Sequence, residues 1–281
     1  HPAARITYAV YNRINADEFR DDCPRGVEAN TMHSMGLKIL RQAYGSQVDK
    51  LKSYMILDEY EDGRKLPRYL RKSVAFLVSK SKDEMLLPDD PCLNQDMHGL
   101  MIKYDINPYG KAGLIVDHAI GVLRRSAEWS EIVDYEDMLW LPVLHRIEPP
   151  DVDLLFIDEC QDLSPAQHAM IPLLCRSGRV VAVGDRYQGL YAFRGADAHS
   201  MPNLERWLAA TPRGLQTMPL TITFRCPRSH VRLANEFVPD LQAHDSNPHG
   251  VVLDGYEIEQ VLEEARPGDF ILCPQNAPLI S

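Results

Sequence analysis

The stretch that most limits what this chain can fold into runs from Asp153 to Asp162, Asp-Leu-Leu-Phe-Ile-Asp-Glu-Cys-Gln-Asp. Leu154 to Ile157 is a short, wholly apolar run of the kind that makes a strand buried on both faces. It ends in adjacent carboxylates, Asp158 and Glu159. Burying a carboxylate is costly unless it is paired or bound to a cation. Acids at the carboxyl end of a central strand therefore point to a hard metal and a reaction centre, which is where open α/β sheets place their ligands. The chemistry suits nucleotide hydrolysis: Asp158 holds Mg2+ through a water, and Glu159 orients and deprotonates the attacking water. A strand that simply ends in solvated acids fits this stretch alone equally well.

The next thirty residues remove the ambiguity. Ser164-Pro165-Ala166-Gln167 reads as a helix start, with Ser164 as N-cap, Pro165 in the first turn and Gln167 completing a capping box. Arg179 to Val183 reads as a second buried strand. It leads into Gly184-Asp185-Arg186-Tyr187-Gln188-Gly189-Leu190-Tyr191-Ala192-Phe193-Arg194-Gly195-Ala196. Asp-Glu-Cys-Gln-Asp followed by Gly-Asp-x-x-Gln-x-Leu-Tyr-x-Phe-Arg-Gly-Ala closely resembles motifs II and III of the UvrD/Rep-type superfamily 1 DNA helicases.

That resemblance implies an α/β fold. Its parts are a RecA-like P-loop NTPase core with a parallel sheet, a helical insertion subdomain and the start of a second RecA-like domain. The implied division is 1–44 and 130–218 for the first RecA-like domain, 45–129 for the insertion, and 219–281 for the beginning of the second. Arg5 to Tyr11 is β-rich and precedes a turn like motif Ia, with Tyr11, Asn12 and Arg13 as DNA contacts. Val27 to Thr31 is another strand, and Thr31-Met32-His33-Ser34 resembles motif Ib, with Thr31 and His33 facing DNA. Ser34 is expected to cap a helix that turns Leu37, Leu40 and Tyr44 inward. In motif III the resemblance gives Gln188 the γ-phosphate, Tyr191 and Phe193 a stacking role on bases, and Arg194 the link between nucleotide and DNA. Thr223-Phe224-Arg225-Cys226 resembles motif IV, where Phe224 stacks on adenine and Arg225 reaches the γ-phosphate. The family's tyrosine hydroxyl is absent at Phe224. Pro227 is placed to open a helix carrying Val231, Ala234 and Val238, and Val251 to Leu253 and Phe270 to Cys273 read as later strands.

The insertion has a different texture, rich in charge and in helices broken by Pro and Gly. Leu114 to Ala127 puts Ile115, Ala119, Val122 and Leu123 on one helical face. Arg64, Lys65, Arg68, Arg71, Lys72, Lys80 and Lys82 occur with no acid between Arg64 and Lys82. They form either a phosphate-binding strip or a solvated helix face. Asp134-Tyr135-Glu136-Asp137-Met138-Leu139 resembles an acidic family segment and is read as packing the insertion onto the core.

Composition sets the remaining bounds. The net charge of −10 does not mark a nucleic-acid binder over the whole chain, but a motor needs basic residues only along one groove. Six scattered cysteines form no C-x-x-C pair for zinc, and Cys160 and Cys175 read as buried thiols of a reduced, cytoplasmic protein. No apolar run reaches the length of a membrane span, and no signal peptide is present. No G-x-x-x-x-G-K-[ST] loop occurs, although the family places one directly before a segment like Arg5 to Tyr11. Motifs V and VI are likewise missing. The chain is therefore read as a piece of a longer protein, hydrolysing ATP poorly or not at all alone. The implied parent uses ATP and Mg2+ to move 3′ to 5′ on single-stranded DNA and at single/double-strand junctions, with room for an accessory loading protein. A non-catalytic helicase-like binding or scaffold module is the other class.

Overall fold

A computed structural model describes residues 4–10, 24–60, 66–188, 199–253 and 266. Contacts within it divide the chain into two compact units, 1–215 and 216–281.

In the first unit, β1 (Ile6–Val10) pairs with β2 (Val27–Thr31), which runs directly into α1 (Met32–Tyr44). Thr31, not Ser34, caps that helix: its hydroxyl oxygen accepts the Ser34 amide at 3.2 Å, and the Ser34 hydroxyl donates back to the Thr31 carbonyl at 2.9 Å. Both side chains suit an N-cap. The strand decides between them, because it stays extended through Thr31. Leu40 is buried and Leu37 partly so, while Tyr44 is 40% exposed, contrary to its expected inward position. Gly45 ends the helix in the left-handed region at φ 69°, as a C-terminal glycine does.

A two-stranded ribbon of β3 (Gln47–Val48) and β4 (Ile132–Val133) then brackets four helices. These are α2 (Lys52–Tyr60), α3 (Arg68–Asp83), α4 (Leu93–Lys103) and α5 (Ala112–Glu128). Ile115, Ala119, Val122 and Leu123 of α5 are all buried, in a core shared with Leu70, Val74, Leu77 and Val78 of α3. After β4 comes α6 (Asp137–Leu144), buried along most of its length. Gly36 lets α1 and α6 meet backbone to backbone, since a Cβ there would lie 1.7 Å from the Met138 carbonyl oxygen.

The sheet resumes with β5 (Leu154–Ile157), then a 3-10 turn at Cys160–Asp162, α7 (Pro165–Leu174), β6 (Arg179–Ala182) and α8 (Ser200–Ala209). Its order is β2-β1-β5-β6, all parallel. The expected capping box is present: the Ser164 side chain accepts from the Gln167 amide at 3.3 Å, and the Gln167 side chain accepts from the Ser164 amide at 2.8 Å. Two burial expectations fail. In β5 only Leu155 and Ile157 are fully buried, and β6 is an edge strand among the described residues, with Val181 40% exposed. An apolar run reports hydrophobicity but not strand order, and strand order decides which faces are covered.

The second unit is described by itself. Strand β7 (Ile222–Thr223) pairs in parallel with β8 (Gln242–Ala243), and α9 (Arg228–Ala234) follows Pro227 as its N-cap. Val231 packs inward. Val251 to Leu253 is not in a strand. Phe270 to Cys273 lies outside the described residues.

Candidate functional site

The carboxyl end of β5 carries Asp158 and Glu159 between the ends of β1 and β6. Asp158 is held from two sides. The Tyr8 hydroxyl of β1 donates to Oδ2 at 2.9 Å, and the Glu159 amide donates to Oδ1 at 3.0 Å. Burial, the hydrogen bond to Asp158 and the two nearby carboxylates push the Tyr8 hydroxyl pKa up to about 12, so it stays a donor. Glu159 sits in the left-handed region at φ 50° and ψ 43°, an uncommon conformation for a residue with a long side chain. The chain turns sharply there, and the Glu159 carboxylate accepts the Gln161 side-chain amide at 2.6 Å.

Gln161 links two loops. Its oxygen accepts the Asp185 amide at 3.0 Å. Asp185 in turn accepts the Tyr187 amide at 2.9 Å and the Gln188 side chain at 2.8 Å. A continuous hydrogen-bonded chain thus runs Glu159–Gln161–Asp185–Gln188. Gly184 allows the two loops to close on each other, since a Cβ there would stand 2.6 Å from the Gln161 oxygen and 2.7 Å from the Cys160 sulfur. Behind the turn, Ser200 of α8 donates to the Cys160 carbonyl at 2.5 Å and bonds His168 at 2.8 Å. Burial pushes the Cys160 thiol up to about 11, which keeps it protonated and inert.

The sequence thus places Asp158, Glu159 and Gln188 together. It does not single out Tyr8, Gln161 or Asp185. The last two stand inside recognisable motifs, whereas nothing in the local pattern marks Tyr8. His33 lies in the first turn of α1, stacked on Tyr135 with ring centroids 3.9 Å apart, and burial lowers its pKa to about 4. Thr31 is committed to its cap. In the second unit Phe224 is 70% exposed and stacked on His244 at 4.3 Å, and Arg225 is exposed. Tyr11, Asn12, Arg13, Tyr191, Phe193 and Arg194 fall outside the described residues.

The structure corrects the basic strip on the insertion. Lys82 is fully buried, 2.6 Å from Asp134 and 2.8 Å from Asp137. Lys80 pairs with Asp83 at 2.9 Å and Arg71 with Asp58 at 3.0 Å. Arg68 and Lys72 remain exposed, and Arg64 and Lys65 lie outside the described residues. Charge spacing cannot distinguish a helix's outer face from the seam where it meets another element.

Among the described residues no three His, Cys, Asp or Glu side chains gather as a metal cage. The pair at the end of β5 still fits Mg2+, which keeps several waters and takes one or two protein carboxylates beside substrate phosphates. No helix among the described residues is long and apolar enough to cross a membrane.

A parallel sheet with an acid pair at the end of a central strand, tied to a Gly-Asp loop on the next strand, defines a RecA-like helicase core. Residues 4–208 match the UvrD/REP helicase N-terminal domain, and the chain belongs to that family. It is 24% identical over 206 residues to the ATP-dependent DNA helicase PcrA of Leuconostoc citreum, covering 66% of this chain and 26% of that protein. It is 24% identical over 244 residues to the ATP-dependent DNA helicase Rep of Escherichia coli strain K12, covering 80% and 33%. Against the F-box DNA helicase protein 1 of Schizosaccharomyces pombe the identity is 26% over 280 residues, covering 90% and 30%. The chain spans between a quarter and a third of the length of these relatives.

Proposed function

We propose that this chain is the motif Ia to motif IV part of an ATP-dependent DNA helicase. In this reading the helicase moves 3′ to 5′ along single-stranded DNA in the cytoplasm and unwinds duplex at single/double-strand junctions, with an accessory loading protein as a further partner. The observation that carries the reading is the hydrogen-bonded chain from Glu159 through Gln161 and Asp185 to Gln188. It joins a candidate base to a candidate phosphate sensor, so one loop registers what the other holds.

Asp158 is the residue that would hold Mg2+, which supplies charge neutralisation on the nucleotide phosphates. Tyr8 keeps the Asp158 carboxylate aimed, and its raised pKa keeps the phenol protonated as the donor of that bond. Glu159 accepts the proton of the attacking water, and the left-handed turn holds its side chain at the strand end. Gln188 leaves Asp185 to bond a γ-phosphate oxygen. Arg225 contributes charge to a nucleotide phosphate and Phe224 a ring to an adenine, as motif IV residues of the second RecA-like domain at 219–281. Residues 45–129 form the insertion subdomain. Thr31, His33, Tyr11, Asn12, Arg13, Tyr191, Phe193 and Arg194 line the DNA path. Without a phosphate loop in these 281 residues, the chain alone does not turn over ATP.

Two measurements test this. The coding DNA for about forty codons upstream of His1 should encode G-x-x-x-x-G-K-[ST] shortly before it. An in-frame start with no such loop would make the protein a non-catalytic DNA-binding or scaffold module. In the loop-bearing polypeptide, Glu159→Gln should keep ATP binding and lose DNA-stimulated hydrolysis; undiminished turnover removes Glu159 as the base.

A further inference from the structure

With Lys82, Lys80 and Arg71 engaged by acids, the exposed basic surface of the insertion is smaller and lies at the other end of α3. Arg68, Tyr69 and Lys72 are exposed there, with Tyr69 at 44%. The loop between α4 and α5 brings a second ring beside it: Tyr109 is 51% exposed and packs edge-on to Tyr69 at 4.8 Å. Exposed large aromatics are usually scattered singly, so two in contact at the surface call for an explanation.

The loop adopts a strained backbone to put Tyr109 there. Its φ is 47°, left-handed for a bulky residue, and Gly110 follows at φ 70°. The turn is tightly bonded, with the Tyr109 amide donating to the Asn107 side chain at 2.9 Å and the Lys111 amide to the Pro108 carbonyl at 2.7 Å. The ring is thus presented on a fixed mount. Further along the same face of α3, two helical turns on, Phe76 is 46% exposed, with Lys80 above its ring at 5.7 Å and above Tyr104 at 5.2 Å. The face from Tyr69 to Lys80 extends about 16 Å.

Charge indicates what this face meets. Arg68, Lys72 and Lys111 are exposed, and no acid occurs from 64 to 82 or from 106 to 116. A chain of net charge −10 thus keeps a local cationic surface interleaved with aromatic rings. Cations that track phosphates beside rings that take bases are the components of a single-strand site, and a duplex cannot offer its base faces to such rings.

We infer that the Arg68, Tyr69, Lys72, Tyr109 and Lys111 surface is a second single-stranded nucleic-acid site, on the insertion and separate from the path past Thr31 and His33. Tyr69 and Tyr109 stack unpaired bases, and the three cations hold the backbone. The inference rests on the reading of the protein as a single-strand-binding helicase part and adds a site to it. Such a site suits the strand that does not occupy the main path.

The test uses the 281-residue chain and fluorescent oligo-dT, read by anisotropy. Tyr69→Ala with Tyr109→Ala should weaken binding roughly tenfold while leaving the salt dependence intact. Arg68→Gln with Lys72→Gln should instead lower the slope of log affinity against log salt by about 0.7 for each phosphate no longer neutralised. Photocrosslinking of the unaltered chain to 5-iodouracil DNA, mapped by mass spectrometry, should give adducts at Tyr69 or Tyr109, and it needs no variant to fold. If the chain binds oligo-dT but the tyrosine variant binds as tightly and adducts fall elsewhere, the second site is overturned and the helicase reading stands. If the variants keep oligo-dT binding and lose affinity for a fluorescent blunt duplex measured alongside it, the single-strand assignment is overturned. If the unaltered chain binds no single strand at all, the second site is overturned, while the helicase reading is still decided by the upstream phosphate loop.

Discussion

Two regions of the first unit place carboxylates in or near the interior and treat them in opposite ways. Where the helical insertion meets α6, Asp134 and Asp137 face Lys82 and Lys52, and every charge is satisfied. Lys52 lies 2.7 Å from Asp137 and also donates to the Ser126 carbonyl at 3.0 Å. Asp134 and Asp137 exchange backbone amide bonds at 3.1 and 2.9 Å. At the end of β5, the donors that Asp158 and Glu159 meet among the described residues are dipolar: a tyrosine hydroxyl, an amide of the turn and a glutamine. A carboxylate saturated by buried lysines can bind nothing else, whereas one steadied by neutral donors keeps its charge for a ligand. The pairing therefore separates a structural clasp from a candidate reaction centre more clearly than burial alone does.

Breaking the clasp should give the largest effect. Lys82→Met leaves two buried aspartates facing each other without their shared cation. The expected loss is about 3–5 kcal/mol, read as a lower urea midpoint at unchanged m-value. Burial would raise the Asp137 pKa, yet Lys82 and Lys52 hold it low, so Asp137 is the charge most exposed to the loss. Asp134, raised to about 6 by burial against the pull of Lys82, gains a proton more readily. A loss under about 1 kcal/mol would mean that the clasp is dispensable and that apolar packing of α3 on α6, through Trp140 and Leu141, joins the insertion to the rest.

The same contrast shows how far the fold and the site are legible in the sequence. The strand-turn-helix units at 154–174 and the buried face of Ala112–Glu128 follow from local rules: apolar runs, a capping box and a 3.6-residue period. The helix start at Thr31 is less legible, because Thr31 and Ser34 are both competent caps and only the extent of β2 decides. Lys82 escapes sequence reading altogether, since nothing near it signals that Asp134, 52 residues on, will be brought against it. The acid pair announces itself, but its wiring does not. Tyr8 and Asp158 are 150 residues apart, and Gln161 and Asp185 meet only because glycine at 184 lets two loops close.

His33 sharpens the comparison from a third side, as a titratable group whose shift comes from burial alone. Its pKa falls from an ordinary 6.5 to about 4, so the unfolded chain binds more protons between those values. Stability is therefore full above pH 6.5 and is lost as pH falls toward 4, by an amount on the order of 3 kcal/mol at most. His33→Gln should flatten this part of the urea-midpoint profile while leaving the stability near neutral pH within about 1 kcal/mol. An unchanged profile would assign the acid sensitivity to the aspartates of the clasp instead.

The smallest effect belongs at the reaction centre. Glu159 holds its position with a left-handed backbone, a conformation glycine adopts without steric cost. Glu159→Gly relieves that strain and gives up one side-chain bond, the 2.6 Å contact with Gln161. The relieved strain and the lost hydrogen bond to a charged group are each on the order of 1–3 kcal/mol and of opposite sign, so the net change should lie close to zero, within about 1 kcal/mol. A glutamate whose removal costs no stability, in a conformation that opposes it, is held there by what it does rather than by what it supports. If Glu159→Gly instead loses more than about 1 kcal/mol, the acid is part of the scaffold of the turn, and the distinction drawn between clasp and site disappears.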